Sequence, residues 1–186
     1  FALLASQAIG KSRAYNLLQS EDVLSTLNCL KKLGVQVKWN KKNNSCEIIG
    51  NGLNSYIYKK NLTLNCNNSG TCARLLISLL INSPKKIKIV GDKSLSKRDM
   101  KRIITPLKHF GATFYPKNIT TLPISIKGTD FISPINYSEL KGSSQCKSSV
   151  MLAALSAPGI TKLKCKPSRN HTELLFKYLK IPIKIK

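Results

Sequence analysis

Acidic residues are scarce in this chain: eight Asp and Glu stand against thirty-one Lys and Arg, a formal charge of +23 over 186 residues. A balance so basic first suggests a nucleic-acid partner, but the other marks of that class are missing. Aromatic residues make up only 6%, too few for a base-stacking surface. The lysines are spread along candidate strands and helix faces, and no nucleic-acid-binding motif is present. Enrichment in Lys, Asn and Ile fits the codon bias of an AT-rich genome, so much of the charge reads as solvated surface, with part of it able to concentrate anionic ligands. No apolar run approaches the ~18 residues that a membrane-spanning helix needs, and no signal peptide is visible. None of the six cysteines, Cys29, Cys46, Cys66, Cys72, Cys146 and Cys165, forms a C-x-x-C pair. That argues against zinc and against a disulfide framework, and leaves buried thiols in a reducing cytosol as the expectation.

What is present is a set of polar loops, each running into an apolar helix. Residues 91–102 place Arg98 in a Gly- and Ser-bounded loop between the apolar strand 87–90 and the amphipathic run Met100, Ile103, Ile104, Leu107. Arg98 is therefore expected near a helix N-terminus, where backbone N–H groups favour negative charge and a guanidinium can grip a carboxylate or phosphate with two hydrogen bonds. Asn65–Arg74 precedes the apolar run Leu75–Leu80; Gly70 lets backbone approach a ligand closely, while Asn68, Ser69 and Thr71 are candidate caps. Gly142–Ser148 opens the apolar helix 150–155 with Ser143, Ser144 and Gln145 side by side. Capping uses one hydroxyl, so the surplus suits a polyhydroxylated or phosphorylated small molecule.

With 42% hydrophobic residues, a chain of this length can form one domain that buries roughly 70% of its unfolded surface. Helices predicted at 20–33 and 97–110 end in Leu33-Gly34 and Phe110-Gly111, carry apolar residues at matching offsets, and precede strands. A third, 170–179, leads into a strand at 181–185. Before each lies a more apolar helix, 1–9, 70–81 and 144–156, whose apolar set is too broad for a surface stripe and predicts burial. Strands are predicted at 12–17, 35–39, 45–49, 55–58, 86–90, 112–115, 122–127 and 161–165. The succession is a βαβαββ unit met three times, about 1–52, 53–128 and 129–186, which makes an α/β fold with a repeat architecture.

Four segments in order resemble the successive motifs of 5-enolpyruvylshikimate-3-phosphate (EPSP) synthase: Asn68-Ser69-Gly70-Thr71-x-x-Arg74, Gly91-Asp92-x-Ser94-Leu95-Ser96-x-Arg98-x-Met100, Ser143-Ser144-Gln145-x-Lys147-Ser148 and Pro167-Ser168-Arg169-Asn170-His171-Thr172-Glu173. The stretch Asn16–Asp22 also follows the family, and the Thr-x-Ala-Arg-Leu and Ser-Arg-x-His-Thr-Glu forms lean toward the bacterial class II branch. Asn170 stands where that branch has Asp. The resemblance implies a domain of three such units with helices inside and sheets outside. It implies transfer of enolpyruvyl from phosphoenolpyruvate to the 5-hydroxyl of shikimate 3-phosphate in the bacterial cytoplasm, with no metal or redox cofactor. It places Gly70, Arg98 and Gln145 at phosphoenolpyruvate and at glyphosate, which the family binds at the same place. It places Ser143, Ser144, Gln145, Ser168 and Arg169 at shikimate 3-phosphate, with Asn68 and Thr71 shaping the loop around Gly70. It further implies that the family's Lys-Ser-x-Ser-x-Arg motif precedes Phe1, that a first strand and a second domain carrying the proton-transfer acids lie outside this chain, and that the chain alone is inactive.

Two other functions are weighed beside it. The sibling enzyme that transfers enolpyruvyl to a UDP-amino sugar shares the fold but carries a reactive cysteine in the loop corresponding to 91–98, where this chain has none. A basic nucleic-acid module would bind duplex DNA with a log–log salt slope of several units, whereas the enzyme reading predicts weak, non-specific attraction.

Overall fold

A computed structural model describes residues 1–185. The chain runs through α1 (Ala2–Ala5), β1 (Ile9–Ala14), α2 (Glu21–Lys32), β2 (Gln36–Asn40), β3 (Ser45–Asn51), β4 (Thr63–Asn65), α3 (Gly70–Leu76), β5 (Ile87–Val90), α4 (Lys101–His109), β6 (Thr113–Tyr115), β7 (Ile124–Lys127), β8 (Asn136–Glu139), α5 (Ser144–Ala154), β9 (Lys162–Cys165) and α6 (His171–Tyr178). A 3-10 turn, Ile77–Leu80, prolongs α3, and another, Leu95–Lys97, precedes α4.

The strands form three small sheets, and α3 and α5 are the helices most deeply buried. The strand orders are β1-β3-β2, β4-β5-β7-β6 and β8-β9. The first two share a plan: β1 pairs antiparallel with β3 and β3 with β2, as β5 does with β7 and β7 with β6. Parallel pairs β4–β5 and β8–β9 add an outer strand to the second and third sheets. Between β4 and β7 the succession β-α-β-α-β-β is complete. This α/β arrangement, with α3 and α5 packed together inside, agrees with the sequence expectation.

Local chemistry sets the helix ends. Ser20 caps α2, its Oγ accepting from Val23 N at 3.3 Å, with Glu21 and Asp22 in the first turn and Lys31 and Lys32 in the last, each sign matched to the helix dipole. At the other end Gly34 has φ +84°, and a Cβ there would meet the Ile57 carbonyl oxygen at 2.5 Å; conformation and space both require glycine. The inner helices are apolar on most faces because protein surrounds them: Cys72, Ala73, Leu76, Ile77, Leu80, Val150 and Ala153 are all buried.

Several boundaries differ from the sequence expectation. The first helix stops at Ala5, not at residue 9, because Ile9–Ala14 is taken up in register against Asn51–Cys46; the strand predicted at 12–17 therefore begins at 9 and ends before Asn16, which is left-handed at φ 55°. Residues 55–58 form no strand. They pack as a loop, with Ile57 N donating to Leu33 O at 3.0 Å and the Tyr56 hydroxyl bonded to Ser6, and the strand forms at 63–65 instead. Residues 181–185 form none either: Lys180 turns the chain at φ 56°, and Ile181 and Ile183 pack against a small cluster around Phe176. Strand β8 was not expected from its polar sequence, Asn-Tyr-Ser-Glu. The helix predicted at 97–110 begins only at Lys101.

Candidate substrate site

Two glycine-bearing loops and an extended arginine meet at one cleft. It has a volume of about 310 Å³ and is lined by Glu21, Asp22, Asn68, Ser69, Gly70, Thr71, Arg98 and Gln145. Ser69 caps α3 by accepting from Cys72 N at 3.0 Å, and its own hydroxyl donates to the Asp22 carboxylate at the start of α2. The loop's neighbouring residue, Asn67, is left-handed at φ 48° and holds Ser25 and Asp92, so the turn before Gly70 is braced on both sides.

Arg98 has an extended backbone, φ −79° and ψ 135°, three residues ahead of α4. It is thus not a first-turn residue of that helix, as the spacing suggested. Asp99, whose Oδ1 accepts from Lys101 N at 2.8 Å, starts the helix and leaves Arg98 free to reach back. Its Nη2 donates to Asn68 Oδ1 at 2.6 Å, and its Nη1 lies 3.1 Å from where a Cβ on Gly70 would sit. Arg74, one helical turn beyond Gly70, brings its own Nη1 to 3.4 Å from the same point. Burial, then the nearby Arg98 and Arg102, lowers the Arg74 pKa. Two guanidiniums therefore converge over a buried glycine, a concentration of positive charge that an anion would relieve.

Gln145 joins this place to a second one. Its Oε1 accepts from Arg74 Nη1 at 2.7 Å and its Nε2 donates to Thr71 Oγ1 at 3.1 Å. On its other side Ser143 caps α5, accepting from Cys146 N at 3.2 Å, which leaves the neighbouring Ser144 as the surplus hydroxyl. The turn is held from beneath by the buried Glu139 carboxylate, which accepts from Lys141 N at 3.1 Å and Ser143 N at 2.9 Å. Gly142, at φ +70°, abuts the Pro167 carbonyl, so the loop carrying Ser168 and Arg169 lies against this turn. Ser168 Oγ is buried there without a hydrogen-bond partner among the described residues, an orphaned group of the kind that a ligand or water completes. Below it Lys147 pairs with Glu173, and Ser148 with Thr172 at 2.6 Å, fastening α5 to α6.

The family model for EPSP synthase (3-phosphoshikimate 1-carboxyvinyltransferase) matches residues 1–186. This chain belongs to the EPSP synthase family. Among curated relatives of that name, one from Caldicellulosiruptor saccharolyticus is 40% identical over 177 residues, covering 94% of this chain and 40% of the relative. One from Petrotoga mobilis is 41% identical over 180 residues, covering 95% and 41%. The solved EPSP synthase from Acinetobacter baumannii superimposes with a TM-score of 0.91 at 32% identity, over 100% of this chain and 42% of that one. The chain thus spans about two fifths of the length of these EPSP synthases.

The structure brings Asn68, Gly70, Thr71, Arg98 and Gln145 to one cleft, and Ser143, Ser144, Ser168 and Arg169 to adjoining loops. Sequence reading assigned no site role to Arg74 or Asp22. Arg74 had a signal, since a spacing of four puts it on the face of α3 that carries Gly70. Asp22 had none, because its link to Ser69 spans 47 residues. The thiol that borders the site, Cys146, is pushed by burial up to about 11 and stays protonated at neutral pH.

Proposed function

We propose that this chain forms the half of an enolpyruvyl transferase that holds shikimate 3-phosphate and phosphoenolpyruvate. It serves an enzyme in which the 5-hydroxyl oxygen of the first adds to C2 of the second and phosphate then leaves. The observation that carries the reading is the convergence of Arg98 and Arg74 over Gly70, bridged by Gln145 to a hydroxyl-rich turn. Arg98 and the backbone at Gly70 would hold the carboxylate and phosphate of phosphoenolpyruvate. Ser143, Ser144, Ser168 and Arg169 would hold the phosphate and ring of the other substrate, and Gln145 would reach both. The tetrahedral species between addition and elimination is multiply anionic, and cations placed in advance stabilise it without reorganisation. Asn68 and Thr71 would keep Arg98 and Gln145 in place through the hydrogen bonds already described. The reaction asks for no metal or redox cofactor.

By this reading residues 1–186 are one incomplete domain of three units, about 1–52, 53–128 and 129–186. Among the described residues β1 has a free edge where β4 flanks β5 and β8 flanks β9, and this edge would receive a further strand. Proton transfer would fall to a second domain, whose closure excludes water. The test is a chimaera in which this chain replaces the matching 41% of the Petrotoga mobilis relative. The folded chimaera is expected to release phosphate from the two substrates together, while the isolated chain releases none above background. A folded chimaera without turnover contradicts the substrate assignment, and turnover by the chain alone contradicts the division of labour.

Gly70 tests the finer geometry. An added methyl would stand 3.1 Å from Arg98 Nη1 and 3.4 Å from Arg74 Nη1, close enough to displace the guanidiniums but not to break the fold. A ligand slightly longer than phosphoenolpyruvate, such as glyphosate, would lose most. Gly70→Ala in the chimaera should raise the glyphosate inhibition constant at least tenfold more than the phosphoenolpyruvate KM, about 1.4 kcal/mol of discrimination. Equal changes in both constants would make Gly70 a helix-start residue and nothing more.

A further inference from the structure

Beneath the loop that carries Gly70 lies a cluster of three thiols that the proposed reaction does not use. Cys29, on the inner face of α2, meets Cys66 and Cys72, which stand at the two ends of the 67–71 loop. Their Sγ atoms all lie within 4.8 Å of one another, and none of the three residues exposes more than 1% of its surface. All are free thiols. The geometry is held from outside the cluster: Cys66 N donates to Val90 O at 2.9 Å, Cys72 N to Ser69 Oγ, and Cys29 Sγ to Asn65 O at 3.4 Å.

Three sulfurs about 2.3 Å from a common centre, a usual metal–thiolate bond length, lie about 4 Å apart around a planar centre and about 3.5 Å apart around a pyramidal one, so the cluster closes on either by drawing its thiols together by roughly an ångström. Among the described residues no His, Asp or Glu joins the group as a fourth donor. That disfavours zinc, whose structural sites are four-coordinate, and favours soft centres content with three sulfurs. Charge narrows the choice. Three thiolates around a monovalent or divalent cation leave net negative charge in a buried place, which is costly. A trivalent centre leaves none.

We propose that Cys29, Cys66 and Cys72 form a three-thiol binding site for trivalent, thiophilic centres of the arsenous-acid class, and that its occupation clamps the two ends of the 67–71 loop together. Three S–H and three As–O bonds break, three As–S bonds form, and three water molecules leave; arsenic stays trivalent throughout, so no oxidant or reductant is needed. Entry is through the loop itself, whose Asn67, Asn68 and Thr71 are exposed. The binding claim stands apart from the substrate assignment, since it is read on the thiols and not on turnover.

The experiment adds arsenite to the reduced chain and follows intact mass, the sulfur-to-arsenic absorbance and backbone amide shifts. One arsenic per chain, three protons lost, and the largest shifts at residues 65–72 are expected. Cys29→Ser, Cys66→Ser and Cys72→Ser should each weaken binding more than tenfold, and Cys165→Ser should leave it unchanged. If a cluster variant does not fold, the wild-type stoichiometry and shift pattern decide. No binding, unweakened binding in folded cluster variants, shifts centred on Cys165, or zinc binding tighter than arsenite would each overturn the proposal.

Discussion

Replacing Arg98 by Ala in the chimaera is expected to lower kcat/KM for phosphoenolpyruvate roughly hundredfold, about 2.7 kcal/mol. Hydrogen bonds between charged groups contribute about 1.5–3 kcal/mol each, and a guanidinium gripping a carboxylate or phosphate makes two. The expected loss is smaller than the sum of two such bonds because Arg98 is exposed in the open cleft, where water screens part of the gain. Arg98→Lys separates charge from shape. It keeps the cation but loses the planar fork, so an intermediate loss of about tenfold, 1.4 kcal/mol, is expected. Steady-state kinetics at saturating shikimate 3-phosphate measure both. If Arg98→Ala changes kcat/KM less than threefold, the anion is held elsewhere.

The second large effect is on stability. Lys147 and Glu173 form an ion pair with side-chain exposures of only 6% and 12%. The pair runs through Glu173 Oε1, and Oε2 is buried without a hydrogen-bond partner among the described residues. Lys147→Met would remove the cation and leave a carboxylate in a buried place, at a cost of about 3–5 kcal/mol. Denaturant unfolding of the chain should show the midpoint falling with an unchanged slope. Removing both charges, in Lys147→Met with Glu173→Leu, should restore most of the loss, because a buried pair exchanged for apolar side chains is often neutral. A double variant as unstable as the single one would mean that packing at α5, rather than charge, is what Lys147 supplies.

The features most legible in the sequence were those written in local chemistry. Ser20, Ser69 and Ser143 announce helix starts by their hydroxyls, and each caps its helix. The breadth of the apolar set in 70–81 and 144–156 gave the burial of α3 and α5, since burial of a whole helix leaves no polar face to preserve. The illegible parts depend on partners far along the chain. Whether 9–14 is helix or strand is decided by Cys46–Asn51 across the sheet, and 181–185 fails to become a strand although its own residues favour one. At the site the same division holds: Gly70, Arg98 and Gln145 were readable as loop chemistry. The orientation of Arg98 was not, because it follows from Asp99 starting α4 and from Asn68 thirty residues away.

If Ser143, Ser144, Gln145, Ser168 and Arg169 hold shikimate 3-phosphate as proposed, a titration of the isotope-labelled chain with that ligand will show it. If a second domain supplies the rest of the site, as proposed, a dissociation constant of order millimolar is expected, about −4 kcal/mol. Amides of residues 142–148 and 167–170 should shift together and saturate together, and Arg169→Ala should abolish the shifts while leaving the rest of the spectrum in place. Saturating shikimate 3-phosphate that moves none of those amides would contradict the account.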